Sequence, residues 1–205
     1  MLRLDLLERA PLTTDPFEFT HVEGFLDAGD LAAVNRDYPA IRGTGSFPVD
    51  VLEYGPAFAD LLAELKGPRF RSAVEQKFAI ELADRPIMIT ARGWAGRRDG
   101  FIHTDSVTKL ITVLLYTNER WERSEGCLRL LYDGEDLDRA AFEVTPSFGN
   151  LLVFRRSERS FHGHLPANEP RRSLQLNWMV DRAARDRELA RHRRTAWIKR
   201  LNPFA

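Results

Sequence analysis

KLITVLLY, residues Lys109–Tyr116, is the clearest of several short runs rich in isoleucine, valine, leucine and threonine. Side chains of these types pack well on a pleated surface, so such runs predict β-strands. Short runs of the same composition recur after Pro86, with turn-forming residues between them. The predicted strands are Ile87–Arg92, Gly100–Asp105, Lys109–Tyr116, Leu128–Tyr132, Phe142–Thr145, Leu151–Phe154, Phe161–His164 and Ser173–Val180. This series of short strands predicts a mainly β fold of the sandwich or jelly-roll type.

Helical periodicity precedes the strands. Apolar residues recur at helical spacing over 24–38, where Asp27 is a suitable N-cap, and again over 56–66 and 69–80. Residues 40–50, rich in glycine and proline, predict a loop. Helices in this part of the chain are expected to support the predicted strands.

The composition is that of an ordinary globular domain. The 205 residues are 43% hydrophobic and 29% charged, enough for one domain with a core of its own. Thirty basic and thirty acidic residues give a formal net charge of zero, which argues against a nucleic-acid binder driven by overall charge. No apolar run approaches the roughly 20 residues of a membrane span, and the N-terminus lacks a signal peptide's apolar segment. The single cysteine, Cys127, fits a reducing cytoplasm.

We expect one domain in three parts. Residues 1–85 form a helical N-terminal support, 86–181 the jelly-roll core and 182–205 a basic helical tail. The tail holds eight arginines and lysines against two acidic residues. It is interpreted either as a solvated helix that docks on the acidic body or as a patch for an anionic partner.

Two histidines and one aspartate have the pattern of a metal site. His103-Thr104-Asp105 lies in a predicted strand, where residues i and i+2 point to the same face, and His162 lies in a later predicted strand. Two imidazoles and one carboxylate can bind one face of an octahedral Fe(II) and leave three positions open. His164 competes with His162 for the third position, and the spacing to Pro166 favours His162.

An arginine after the second histidine is a candidate partner for a dicarboxylate co-substrate. A planar guanidinium pairs with a carboxylate through two hydrogen bonds. Arg172, Leu174, Leu176 and Trp178 share one strand face by parity, and this face is expected to look toward the metal. Arg171 is the alternative, and the parity with Trp178 favours Arg172.

The span from about Arg92 to Trp178 resembles the 2-oxoglutarate/Fe(II)-dependent dioxygenases, in the branch that includes prolyl 4-hydroxylases. The matching segments are His103–Asp105, Lys109–Asn118 with Trp121, Gly126–Leu130, Gly149–Phe154, Ser160–Pro166 and Arg172–Trp178. Residues 1–85 and the basic tail lie outside the resemblance. The family's frequent tyrosine before the His-x-Asp strand is missing from Thr90–Trp94, and Gly126-Cys127 replaces a common glycine pair.

The resemblance implies a double-stranded β-helix, or cupin-like jelly roll, with supporting helices. It implies His103, Asp105 and His162 as iron ligands, and Arg172 with Tyr116 as contacts of the distal carboxylate of 2-oxoglutarate. Thr112 is expected to line the same pocket. The cofactors implied are Fe(II), 2-oxoglutarate as co-substrate and ascorbate as an additional reductant.

The activity implied is oxidative decarboxylation of 2-oxoglutarate to succinate and CO₂, coupled to hydroxylation of a second substrate. That substrate is a peptidyl residue, a free amino acid or a small metabolite, and the sequence does not select among them. Demethylation or ring closure are alternative outcomes of the same chemistry. Retention of Asp105 argues against halogenation, in which a halide takes the place of the carboxylate. An alternative from another class is a non-catalytic jelly-roll domain that binds a metal or a sugar, or acts as a sensor.

Overall fold

A computed structural model describes residues 1–147 and 149–201, with the backbone alone over 196–201. The helices are α1 (Leu4–Arg9), α2 (Ala28–Arg36), α3 (Pro56–Lys66), α4 (Pro68–Phe78) and α5 (Arg182–Leu201). The strands are β1 (Phe19–Val22), β2 (Phe47–Pro48), β3 (Ile87–Ala95), β4 (Lys109–Tyr116), β5 (Leu128–Leu131), β6 (Ala140–Val144), β7 (Leu151–Arg155), β8 (His162–Gly163) and β9 (Glu169–Met179). A 3₁₀ turn at Val49–Val51 follows β2. Within this part of the chain, none of the helices combines the length and the apolar character needed to cross a bilayer.

The strands form two antiparallel sheets. The larger sheet has the order β1-β7-β4-β9-β3-β2, and the smaller has the order β6-β5-β8. Strand β4 lies at the centre of the larger sheet and pairs with β7 on one side and β9 on the other, with Tyr116 opposite Ser173. Sequence neighbours are often not sheet neighbours, so the chain crosses repeatedly between strands, as it does in a jelly roll.

One face of the larger sheet packs against the N-terminal helices. On β4 this face carries Ile111, Val113 and Leu115, which are buried in one apolar cluster with helix residues such as Phe58 and Leu61. Alternation along a strand sends the intervening residues to the opposite face. The helices therefore cover the outer face of the larger sheet and leave its inner face to the smaller sheet.

The inner faces of the two sheets enclose a second, smaller apolar cluster. It contains Tyr116 of β4, Leu130 of β5 and Phe154 of β7, all completely buried. The two sheets are thus held together at one end of the sandwich. Polar side chains occupy the rest of the space between them and line the cavity described below.

The predicted fold class is confirmed: the structure is mainly antiparallel β with supporting helices. Strand β4 and helix α3 have the predicted bounds, and Asp27 caps α2 by accepting a hydrogen bond from the Gly29 amide at 2.9 Å. The division into three parts remains a prediction. Residues 202–205 of the predicted tail lie outside the described residues.

Several elements differ from the predictions. The short elements α1, β1 and β2 were not predicted, and β2 falls inside the predicted loop 40–50. Strand β9 begins at Glu169 rather than at Ser173. The predicted strand Gly100–Asp105 is absent. Its β-sheet pairing with another segment is an isolated β-bridge between His103 and His162.

Candidate metal and co-substrate site

A cavity of about 490 Å³ lies between the two sheets. Its walls come from alternate residues of the three central strands of the larger sheet, from β5 and β8, from the loop before β4 and from α5. The side chains from the larger sheet are Met88, Thr90 and Arg92 of β3, Thr112, Leu114 and Tyr116 of β4, and Arg171, Ser173, Gln175 and Asn177 of β9. This volume is within the usual range for a small-molecule site.

The structure brings His103, Asp105 and His162 together on the cavity wall. One potential ligand atom from each residue lies within 4.8 Å of the other two. Asp105 and His162 are buried, at 6% and 5% exposure, whereas His103 is exposed. Two imidazoles and one carboxylate thus converge at one point that is open to solvent on one side.

Backbone pairing sets this convergence. The His103 amide donates to the His162 carbonyl at 3.0 Å, and the His162 amide donates to the His103 carbonyl at 2.9 Å. The Asp105 carbonyl accepts a hydrogen bond from Nε of Arg156 at 3.0 Å. The loop that carries His103 and Asp105 is therefore tied to β8 and to the end of β7, although it is not itself a strand.

A close backbone approach explains why this loop is irregular. Gly100 has a φ of +101°, and a Cβ there would lie 2.1 Å from the His164 carbonyl oxygen. Only glycine fits such a position without displacing the neighbouring chain. Strand β3 ends at Ala95 and the chain returns to the larger sheet at Lys109, so Gly100 lies inside this irregular connection.

The hydrogen bonds of both histidines define which ring nitrogen is free. Nδ1 of His103 lies 2.8 Å from the Phe101 carbonyl, and Nδ1 of His162 lies 2.9 Å from the Ser160 carbonyl. A carbonyl oxygen only accepts, so each Nδ1 carries a proton, and in the neutral form of each ring the lone pair is on Nε2. Burial lowers the pKa of His162 to about 4 against the opposing charge of Asp105, so this imidazole is neutral at pH 7. A neutral ring with a free Nε2 is the form that binds a metal.

The carboxylate is held in its ionised form. Burial by itself raises the pKa of Asp105, but the Lys109 ammonium at 2.7 Å, with His162 and two hydrogen bonds, lowers it to about 2. The Thr112 hydroxyl donates to the second carboxylate oxygen and accepts from the Asn177 amide at 2.9 Å. Thr112 thus lines the cavity as predicted and also orients Asp105.

Arg171 lines this cavity with a buried guanidinium. It is 5% exposed, its Nε donates to the Gly126 carbonyl at 2.8 Å, and its Cζ lies 5.1 Å from the centre of the Tyr116 ring. Nη2 lies 3.5 Å from the Tyr116 hydroxyl oxygen. Burial raises the pKa of Tyr116, so this hydroxyl stays protonated and can donate to an anion. Arg171 and Tyr116 together present donors to the space between the sheets.

Arg172 does not reach the cavity, contrary to the prediction. Its Nη1 donates to the Asn35 carbonyl at 3.1 Å and to the Asn35 side chain at 3.2 Å, and its guanidinium lies over the Tyr38 ring. Arg172 does share a face with Trp178, as parity predicts, but Trp178 stacks on Phe70 of α4. That face is the one covered by the helices, so Arg172 fastens α2 to the sheet.

The sequence contains the signal that separates the two arginines. One face of β9 carries Leu174, Leu176 and Trp178, which are buried in the helix-facing cluster. The other carries Arg171, Ser173, Gln175 and Asn177, which line the cavity. An apolar face packs against helices, whereas a polar face on a buried strand indicates a polar site. His164 also lines the cavity, and Cys127 is buried.

Comparison with known proteins agrees with the fold. Residues 96–180 match the family model of the 2OG-Fe(II) oxygenase superfamily. A prolyl-4-hydroxylase from Pseudomonas putida is similar in structure, with 22% identity, a TM-score of 0.57 and coverage of 86% of this chain and 96% of that one. A prolyl hydroxylase from Trichoplax adhaerens has 17% identity, a TM-score of 0.52 and 90% coverage of both chains.

A third similar structure comes from a virus. The collagen prolyl hydroxylase of Paramecium Bursaria Chlorella virus-1, in its 2OG complex, has 14% identity, a TM-score of 0.54 and coverage of 81% of this chain and 97% of that one. No curated protein matches the chain by sequence. At these identities the structural matches establish the fold alone.

Residues 96–180 thus resemble a 2OG-Fe(II) oxygenase in sequence, and the chain has the jelly-roll fold of prolyl hydroxylases. The resemblance predicted from the sequence is confirmed. The family's two requirements, Fe(II) and 2-oxoglutarate, fit the donor set of this chain, which offers two imidazoles, one ionised carboxylate and a buried guanidinium in one cavity.

Proposed function

We propose that this protein binds Fe(II) through His103, Asp105 and His162 and uses it, with 2-oxoglutarate and O₂, to hydroxylate a second substrate. The overall reaction converts 2-oxoglutarate, O₂ and a C–H bond into succinate, CO₂ and an alcohol. The observation that carries this proposal is the approach of the three ligand atoms to within 4.8 Å in a cavity that also holds a buried guanidinium.

The bound metal would supply O₂ activation and a site that chelates the keto-acid end of 2-oxoglutarate. This chain's own residues hold and orient the reactants. His103 and His162 each donate Nδ1–H to a backbone carbonyl, which directs Nε2 of both rings to one point. Asp105 stays ionised beside Lys109 and Thr112. Neither Asp105 nor His162, whose pKa burial lowers to about 4, has to lose a proton at pH 7 before the metal binds.

We assign the distal carboxylate of 2-oxoglutarate to Arg171, in place of Arg172. The Nε of Arg171 is engaged by the Gly126 carbonyl, which leaves the terminal nitrogens for a carboxylate. The Tyr116 hydroxyl adds a second donor beside them. Because both residues are buried, their hydrogen bonds to an anion act in a medium that screens charge poorly.

The test is succinate formation from 2-oxoglutarate by the purified protein with Fe(II) and ascorbate under air, where ascorbate supplies the two electrons that a second substrate would otherwise give. We expect succinate and CO₂ in equal amounts, with both absent when iron or O₂ is withheld. Asp105→Ala is expected to abolish this turnover and leave the fold intact, while Asp138→Ala, which removes an exposed carboxylate outside the cavity lining, keeps it. A wild-type protein that binds iron but forms no succinate would support a non-catalytic binding domain instead.

The partners that we propose are 2-oxoglutarate, O₂ and a second substrate, with ascorbate as an additional reductant that keeps the iron ferrous. We also propose a cytoplasmic location. Its support is the single buried Cys127, which offers no intramolecular disulfide, and the benefit of reducing conditions for Fe(II). Fractionation of cells that express the full-length protein tests this location.

A further inference from the structure

The cavity extends beyond the metal and co-substrate residues to a rim of basic side chains. Arg92 and Arg98 approach from β3 and the loop after it, and Arg191 and His192 from α5. The C-terminal helix is joined to the body by an ion pair between Arg193 and Asp50. One face of the predicted basic tail therefore forms part of the cavity wall.

The described lining of the cavity is strongly cationic. It holds five basic groups, Arg92, Arg98, Lys109, Arg171 and Arg191, against the two carboxylates of Asp99 and Asp105, an excess of three positive charges. Because Fe(II) and doubly charged 2-oxoglutarate cancel one another, the excess of three persists when both are bound.

Local pairing shows where the excess lies. Nη1 of Arg92 lies 3.7 Å from Asp99, so these two charges offset one another. The proposed function assigns Arg171 to the distal carboxylate and Asp105 to the iron. The basic groups that no carboxylate of the cavity lining then offsets are Lys109, Arg98 and Arg191, and Arg191 has an ion pair with Glu188 outside the lining.

The two cations at the rim are open to a ligand. Within the described part of the chain, the Arg98 side chain has neither an ion pair nor a hydrogen bond. Nη2 of Arg191 is paired with Glu188 on its own helix, whose side chain is 13% exposed, but the Arg191 side chain is 67% exposed, so its other guanidinium nitrogens can reach an anion without breaking this pair. An anion at the rim would therefore displace no strong protein contact.

An apolar surface lies beside these cations. Phe101 lines the cavity and is 76% exposed, an unusual exposure for so large an apolar side chain. It sits between Arg98 and His103 in the chain, so an apolar group resting on its ring would be held next to the metal ligands. The rim thus offers contacts of two kinds, cationic and aromatic.

We propose that the second substrate is a small molecule with an anionic group and an apolar body, and that Arg98 and Arg191 bind the anion while Phe101 packs on the apolar part. This inference rests on the proposed function for the reaction, but the charge argument holds for the unloaded cavity as well. The cavity of about 490 Å³ is shared with the co-substrate, which favours a small second molecule. The anion is a carboxylate or a phosphate.

Anaerobic calorimetry with phenylacetate, phenylacetamide and phenyl phosphate tests the proposal on protein loaded with Fe(II) and 2-oxoglutarate. The two charged probes are expected to bind at least about tenfold more tightly than the neutral amide. Whichever anion binds more tightly identifies the source of the charge. Arg98→Glu combined with Arg191→Glu should remove the preference, and Phe101→Ala should weaken all three probes alike.

A matched control is Arg97→Glu combined with Arg194→Glu. Both arginines are exposed neighbours of the tested residues but lie outside the cavity lining, so the charge change is the same and the preference should survive. The proposal is overturned if neither anion binds, if the amide binds as well as phenylacetate, or if the control variant loses the preference too.

The failure of this inference can be distinguished from that of the proposed function. A visible charge-transfer band on adding 2-oxoglutarate to the Fe(II) protein reports the loaded site. If the band forms and the anions do not bind, the substrate inference alone is wrong. If no band forms, the proposed function fails. Calorimetry with the same three probes on the unloaded protein, and on its variant with Arg98→Glu and Arg191→Glu, then tests the substrate inference.

Discussion

Replacing each of the two adjacent arginines of β9 by alanine gives opposite expected results, which makes the pair a sharp test of the site. Arg171 lies in the cavity with its terminal nitrogens available, whereas Arg172 is bonded to Asn35 on the helix side of the sheet. Arg171→Ala should therefore weaken the binding of 2-oxoglutarate. Arg172→Ala should leave that binding within about twofold of wild type and lower the stability of the fold by about 1–3 kcal/mol.

The size of the Arg171 effect follows from its contacts. Truncating one partner of a buried, hydrogen-bonded charge pair costs about 2–5 kcal/mol. With Nε already bonded to Gly126, the loss falls on the terminal nitrogens, and about 3–4 kcal/mol is expected. At about 1.4 kcal/mol for each factor of ten, 2-oxoglutarate should bind about 100- to 1,000-fold more weakly.

The assay is an anaerobic titration of Fe(II)-loaded protein with 2-oxoglutarate, followed by the charge-transfer band. Thermal unfolding of each variant is measured in parallel, because Arg171→Ala also leaves the Gly126 carbonyl without its donor. Arg171→Lys retains the positive charge without the planar fork, so it should fold and show an intermediate loss of affinity. The reasoning is refuted if Arg172→Ala weakens the affinity more than Arg171→Ala does.

Three further predictions concern the residues around the metal ligands. Thr112→Val removes the hydroxyl that bonds Asp105 and should lower iron affinity about 10- to 100-fold in a competition titration; unchanged affinity would exclude an orienting role. Gly100→Ala adds both a positive-φ penalty and a clash, so it should lower the free energy of unfolding by more than Gly24→Ala, whose Cβ meets nothing within 4 Å; equal losses in denaturant titrations would contradict this. Burial, and to a lesser extent the Arg171 guanidinium, lower the pKa of His164 to about 4 in the folded protein. As the pH falls below 6.5, His164 is therefore protonated in the unfolded chain but not in the folded one, which favours unfolding. The metal-free protein should lose about 2 kcal/mol of stability from this residue between pH 7 and pH 5, and His164→Gln should flatten that dependence.

Much of the fold could be predicted because its strands and helices follow local rules. Strand β4 is an uninterrupted run of leucine, β-branched and aromatic residues after Lys109, so its bounds could be predicted from the sequence alone. Helix α3 begins at Pro56 and ends before Gly67, both of which are strong local signals. The short elements α1 and β1 could not be predicted, because their bounds depend on contacts with distant segments, such as the pairing of β1 with β7.

The candidate site shows a different limit. The sequence correctly predicted that Arg172 and Trp178 lie on the same face of β9. It did not predict which of the two faces lines the cavity, because strand alternation shows only which residues share a face. The face itself is decided by what packs on it, here Phe70 against Trp178. The loop around His103 is a second case. Its departure from strand geometry comes from the close approach of Gly100 to the His164 carbonyl, a contact between segments far apart in the chain.

Iron stoichiometry measured together with the 2-oxoglutarate charge-transfer band tests the central claim most directly. The protein should bind one Fe(II) per chain anaerobically and develop the band when 2-oxoglutarate is added. His103→Ala, Asp105→Ala and His162→Ala should each lose the band, while His192→Ala, which removes an imidazole at the rim of the same cavity, should keep it. Full iron binding and an undiminished band in any of the three ligand variants would contradict the assignment of these side chains to one metal site.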